Sequence, residues 1–164
     1  MTRRLYLLRH AKSSWKDPGL ADHDRPLSGR GRRAAAALAV HLAQERIRPE
    51  LVLCSTALRT RETYERLEAA LETAPVHFER RLYAASADDL LELLRTVPDQ
   101  FATALVIGHN PGLEELALQL ARPSPARDAL QAKFPTAALA TLELTSSSWS
   151  ELAPGCASLI AYRR

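Results

Sequence analysis

The chain has 164 residues, of which 46% are hydrophobic and 25% charged, and carries a formal net charge of +3 at pH 7. That length fits one domain spanning residues 1–164, large enough to bury roughly 70% of its unfolded surface. The arginines are scattered without a dense basic run, which gives nucleic-acid binding no support and suits an anionic substrate. Two cysteines, Cys54 and Cys156, are too few for a disulfide framework and read as reduced, buried thiols. The start, Met1-Thr2-Arg3-Arg4, has the charge of an export signal, but the apolar stretch Leu5–Leu8 is too short to serve as one. No apolar run reaches membrane-spanning length, so no membrane contact is expected and the expected compartment is the cytoplasm.

In chain order, Leu5-Tyr6-Leu7-Leu8 is a continuous apolar run ending abruptly on Arg9-His10, the pattern of a strand buried on both faces. Residues 11–27 form the longest irregular segment, and a loop of that length in a compact domain tends to carry function. Ser28 is placed to cap a helix from about 30 to 45, with Ala34, Ala35, Leu38, Ala39 and Leu42 on its apolar side. Leu51–Cys54 reads as a second strand, and Ser55-Thr56 as the cap of a helix over about 57–72. Pro75–Phe78 is a short third strand. A helix then starts at Ala87 or Asp88 and stops before Pro98.

Thr103–Gly108 is the clearest strand after the first, followed by Asn110 as a cap and Pro111 at the first position of a helix to about Ala121. Residues 124–135 follow a proline-marked linker and have no clear pattern. Ala137–Thr145 and Ala157–Tyr162 are two more strands, expected as an antiparallel pair across a serine-rich turn at 146–150. The order β-α-β-α-β-α-β-α-β-β predicts an α/β fold, a three-layer α/β/α sandwich with a mostly parallel, mixed central sheet.

Three strand ends carry chemistry. Arg9 and His10 follow the first strand, His109 follows the fourth, and Arg59 lies in the first turn of the helix after the second. If those strands are parallel, all four residues meet at the carboxyl edge, where open α/β sheets bind ligands. Two guanidiniums and a helix amino terminus suit phosphoryl oxygens and the spread charge of a transferring phosphoryl group.

Arg9-His10-Ala11 resembles the R-H-G signature of the histidine phosphatase (phosphoglycerate-mutase-like) superfamily. Ser55–Thr63 resembles its S-P-x-x-R-A-x-Q-T segment, and Ile107-Gly108-His109 its second histidine. Arg9–Trp15, Arg25-Pro26-Leu27-Ser28-x-x-Gly31 and Leu82-Tyr83-Ala84-Ala85 resemble the SixA-type phosphohistidine phosphatases. The resemblance implies that His10 attacks phosphorus as a neutral imidazole while Arg9, Arg59 and His109 hold the oxygens. It also implies no cofactor, and a partner that is a phosphohistidine-bearing protein or a small phosphate ester. The oligomeric state is left open.

Ser13 matches a phosphate donor of the family pattern, Lys16 stands where phosphoglycerate-type members have asparagine, and Arg25 either lines the pocket mouth or pins its loop. These three are the substrate-binding candidates. Trp15 reads as an anchor for the 11–27 loop, with part of a partner surface as the alternative. Asp22-His23-Asp24 tempts a metal reading, but adjacent side chains diverge and no second ligand pair supports it, so no metal is expected.

The chain departs from its relatives at the general acid. Asn110 stands where one branch has aspartate, and no glutamate after the third strand matches the other branch. An imidazole leaving group, with a conjugate-acid pKa of about 6.5, departs far more easily than an alkoxide. Losing a general acid, worth roughly 100- to 10,000-fold, therefore penalises phosphoesters most. The expected substrate is thus phosphohistidine on a partner protein. The alternatives are a broad phosphomonoesterase or mutase of the same superfamily, and a non-catalytic phosphate-binding module. A cysteine phosphatase is the rival chemistry, yet Cys54 and Arg59 are separated by four residues where that loop needs five.

Overall fold

The computed structural model describes residues 2–164. The apolar run near the start forms strand β1 (Arg3–Arg9), whose side chains are buried in alternation against two different cores. Leu5 and Leu7 point into one, Tyr6 and Leu8 into the other. That double burial is why the run is continuously apolar.

The parallel partners are β2 (Leu51–Ser55), β3 (Val76–Glu79) and β4 (Thr103–Gly108). Strands β5 (Leu139–Leu144) and β6 (Ala157–Arg163) complete a sheet in the order β3-β2-β4-β1-β5-β6. Strand β5 runs antiparallel to β1, and β6 antiparallel to β5. Helices α1 (Gly29–Gln44) and α2 (Leu58–Leu71) cover one face through Leu38, Leu42, Leu67 and Leu71. Helices α3 (Ala87–Arg95), α4 (Gly112–Leu120) and α5 (Pro125–Ala132) cover the other through Leu90, Leu94, Leu116 and Leu130. The fold is the mixed three-layer α/β sandwich that the element order predicts.

Register positions the site. Arg9 of β1 lies opposite Gly108 of β4, and Leu8 opposite Ile107, so His10 and His109 leave the sheet at the same level. Cys54 of β2 also lies opposite Ile107, which brings Ser55 to that edge.

Four local expectations need correction. Ser55-Thr56 does not cap α2: the residue at that position is Ala57, without a side-chain cap, and Ser55 ends β2. Asn110 does not cap α4, because its amide donates to the Phe134 carbonyl at 3.0 Å, and Pro111 precedes the helix instead of opening it. Residues 125–132 are helical, with Ser124 Oγ accepting from the Arg127 amide. The β5–β6 connection is longer than the turn expected at 146–150. It buries Trp149 completely, with its indole N–H donating to the Phe101 carbonyl at 2.7 Å.

Ser28 caps α1 as expected, accepting from the Gly31 amide at 3.0 Å. The same serine's amide and hydroxyl both donate to the Lys12 carbonyl. Gly31 is required there, since a Cβ would fall 2.0 Å from that carbonyl oxygen. Alanine would add helix propensity of about 1 kcal/mol, but a clash with backbone cannot be relieved by a rotamer change. Gly31→Ala is accordingly expected to lose about 1–3 kcal/mol net in denaturant titration and to lower turnover. Unchanged stability would mean that α1 does not fix residue 12.

Candidate active site

The residues leaving the strand ends converge on one pocket. Arg9, His10, Arg59 and His109 line it together with Ser13 and Arg25. His10 is 7% exposed, and its Nδ1 lies 2.7 Å from the Ala11 carbonyl. A carbonyl only accepts, so Nδ1 carries the proton and Nε2 keeps its lone pair. Burial, followed by the Arg59, Arg9 and Arg25 charges, pushes the His10 pKa down to about 4. The ring is therefore neutral at pH 7.

The His109 ring lies 5.2 Å from that of His10, tilted by 53°. Its Nε2 is 2.8 Å from Ser55 Oγ, while Nδ1 is buried without a partner. Burial, then His10 and Arg59, push its pKa down to about 3. Both imidazoles thus favour the neutral form in the folded state, and the unfolded chain binds more protons as pH falls below about 6.5. Stability contributed by these rings is complete above pH 6.5 and is lost as pH falls toward 4. The expected result is a melting temperature declining over that window, with His10 and His109 ring carbons showing no NMR titration between pH 5 and 8. A midpoint near 6.5 for either ring would refute it.

Two of the three pocket arginines are held in place by one carboxylate, while Arg9 donates to the Phe134 carbonyl at 3.2 Å. Arg59 donates to the Asp22 carbonyl at 2.7 Å and to Asp22 Oδ2 at 3.0 Å. Arg25 donates to Asp22 Oδ1 at 2.9 Å, to the Ser14 carbonyl and to Ser13 Oγ. The Tyr83 hydroxyl donates to Asp22 Oδ2 at 2.6 Å. Tyr83 first, and then both arginines, hold the Asp22 carboxyl far below the usual carboxylate range. Thr63 ties α2 to the end of β1: its hydroxyl donates to the Arg59 carbonyl and accepts from the Ala11 amide.

Ser13 and Arg25 lie at the pocket, and Arg25 both lines its mouth and pins its loop. Lys16 does not reach it. Ser13 pairs with Leu27 as a short antiparallel bridge, and the Lys16 amide turns back onto Ser14 Oγ, which sends the side chain into the neighbouring cleft beside Asp17 and Arg32. Lys12, Trp15, Asn110 and Thr136 line the pocket instead. Trp15 is 74% exposed and stacks on the Arg25 guanidinium at the rim of the pocket.

Sequence reading missed Asp22 and Tyr83 as partners of the arginines. The available signal was Asp22 three residues before Arg25. Asp22 turns to Arg25 and Arg59, while His23 meets Thr56 Oγ1 through Nε2 and lies 3.6 Å from Asp24 Oδ1 through Nδ1. Cys54 is fully buried among the α1 and α2 side chains, and burial pushes its thiol up to about 12. A protonated thiol inside the core cannot act as the nucleophile, which removes the cysteine chemistry.

Neutral imidazoles beside paired guanidiniums, at the carboxyl ends of the parallel strands of a mixed sheet, define a phosphate-handling pocket of the α/β class. A sequence model described as "Histidine phosphatase superfamily (branch 1)" matches residues 5–142, and the chain belongs to that superfamily. Within it the chain is of the SixA type. A Nakamurella multipartitia structure described as a phosphohistidine phosphatase SixA superposes with a TM-score of 0.88 at 32% identity, covering 100% of this chain and 96% of that one. An Agrobacterium tumefaciens structure of the same description gives 0.84 at 30% identity, covering 100% and 99%. The Mycobacterium tuberculosis protein Rv1276c is 38% identical over 159 residues, 94% of this chain and 98% of that protein. No described helix is long and apolar enough to cross a membrane.

Proposed function

We propose that the chain is a phosphatase working through a phosphohistidine on His10, and that its substrate is phosphohistidine on a partner protein. In the first step the Nε2 lone pair of His10 bonds to phosphorus. The P–N bond of the substrate breaks, and its electron pair stays on the leaving imidazole, which departs neutral once its other nitrogen has taken a proton from solvent. Arg9, Arg59 and Arg25 carry the charge of the phosphoryl oxygens, with Ser13 and His109 as hydrogen-bonding groups. Water then attacks phosphorus. Because Nδ1 keeps its proton on the Ala11 carbonyl, cleavage of P–Nε2 returns a neutral ring without a further donor.

One observation carries the substrate reading: among the described residues, no carboxyl group lines the pocket. Asp22, which binds two of the lining arginines, is held ionised by Tyr83, Arg59 and Arg25, so it has no proton to give at neutral pH. An alkoxide needs a proton from the enzyme, whereas the second nitrogen of an imidazole takes its own from solvent near neutral pH. The test compares kcat/KM for a histidine-phosphorylated peptide, a phosphoserine peptide and a sugar phosphate, with His10→Ala as control. The expected preference for phosphohistidine is at least about 100-fold, the size of an absent general acid. Comparable efficiencies would favour the phosphomonoesterase reading.

A further inference from the structure

A cationic face adjoins the pocket, and none of the chemistry above uses it. Beyond the loop that carries Ser13 and Trp15, Lys16 and Arg32 line the next cleft, and Arg32, Arg33 and Arg66 line the one after it. The second and third depressions share Gly29 and Arg32, and Ser14, which lines the second, lies in the chain between Ser13 and Trp15, which line the active-site pocket. Among the described residues, none of Lys16, Arg32, Arg33 and Arg66 makes an ion pair with a carboxylate, whereas exposed Arg4, Arg48 and Arg81 do so elsewhere. Among the described residues, Asp17 is the single carboxylate lining these two clefts. The loop between them and the pocket also presents Trp15 at 74% exposure and Leu20 at 39%. Unneutralised charge around an exposed tryptophan is the composition of a protein-binding surface, in which the aromatic anchors and the charges set encounter rate and partner choice.

We propose that this face docks an acidic protein surface, with Trp15 as the apolar anchor, and so presents that partner's phosphohistidine to His10. The partner class rests on the phosphatase reading above. The geometry is right for it, because the cations begin one loop away from the nucleophile pocket, where the flank of a macromolecular substrate lies and a small metabolite does not reach.

The test uses two histidine-phosphorylated peptides of identical core, one flanked by Asp and Glu and one by Lys, together with free phosphohistidine. At low salt the wild-type chain is expected to show kcat/KM at least about tenfold higher on the acidic peptide, with the preference shrinking as ionic strength rises. Arg32→Glu/Arg33→Glu/Arg66→Glu should abolish or reverse that preference while leaving free phosphohistidine turnover unchanged. Because Arg32 also donates to the Leu27 carbonyl, the double variant Arg33→Glu/Arg66→Glu serves as the check on folding and should show the same direction. Equal rates on both peptides, with free phosphohistidine hydrolysed, would overturn the docking surface and leave the phosphatase standing. Salt-sensitive binding of the acidic peptide alone, measured by fluorescence anisotropy and without turnover of any substrate, would support the surface and sink the phosphatase.

Discussion

Replacing His10 with alanine is expected to reduce phosphohistidine hydrolysis by at least about 10⁴-fold, the scale of losing a covalent nucleophile. The fold should survive, because the ring makes its one hydrogen bond to the carbonyl of its own neighbour, Ala11. The variant should also be less sensitive to acid. A buried ring that resists protonation is gone, so the decline of melting temperature between pH 6.5 and 4 becomes shallower. In the wild-type chain, quenching during turnover should trap a mass gain of one phosphoryl group that is acid-labile and maps to residue 10. Full activity in His10→Ala, or a label on another residue, would end the covalent mechanism proposed here.

Arg59→Lys is the second large effect. Lysine keeps the charge but loses the planar fork, and Arg59 uses that fork on the backbone carbonyl and side chain of Asp22 while it borders the pocket. A preorganised donor to developing charge is worth about 10²- to 10³-fold when removed, so kcat/KM should fall by at least about 100-fold. Most of that fall should appear in kcat, since charge on the oxygens spreads further in the transition state than in the bound substrate. A rise in KM with kcat preserved would mean that Arg59 only binds. Asp22→Asn is the companion measurement. It removes the negative charge that faces Arg59 and Arg25 but retains a carbonyl oxygen, so its effect should be smaller and of the same kind. Wild-type activity in Arg59→Lys would assign the residue to pinning the loop alone.

Much of the fold is written in local pattern. A four-residue apolar run needs two cores to bury it, and β1 has two; the period of α1 and its Ser28 cap need only the neighbouring residues. Errors occur where a side chain that could serve locally is taken by a distant partner. Ser55 can cap a helix, but at the sheet edge its hydroxyl meets His109. Asn110 can cap one too, but α5 and the segment after it bring the Phe134 carbonyl within reach. Such competition between a local and a long-range hydrogen bond has no signature in a window of ten residues.

Arg9, His10, Arg59 and His109 could be named from the chain because each follows a recognisable strand or opens a helix, so period and position alone put them at one edge. Asp22 could not, since it sits in an irregular loop with neither period nor cap, and only the packing of that loop against α2 and Tyr83 brings its carboxylate between two guanidiniums. Lys16 went the other way, into the next cleft, because one backbone bridge at Ser13 sets which side each following residue faces. The amino-acid order thus determined which strands form and what chemistry leaves their ends. The tertiary structure alone decided which loop residues hold that chemistry in place, because those contacts join segments whose separation along the chain carries no periodic trace.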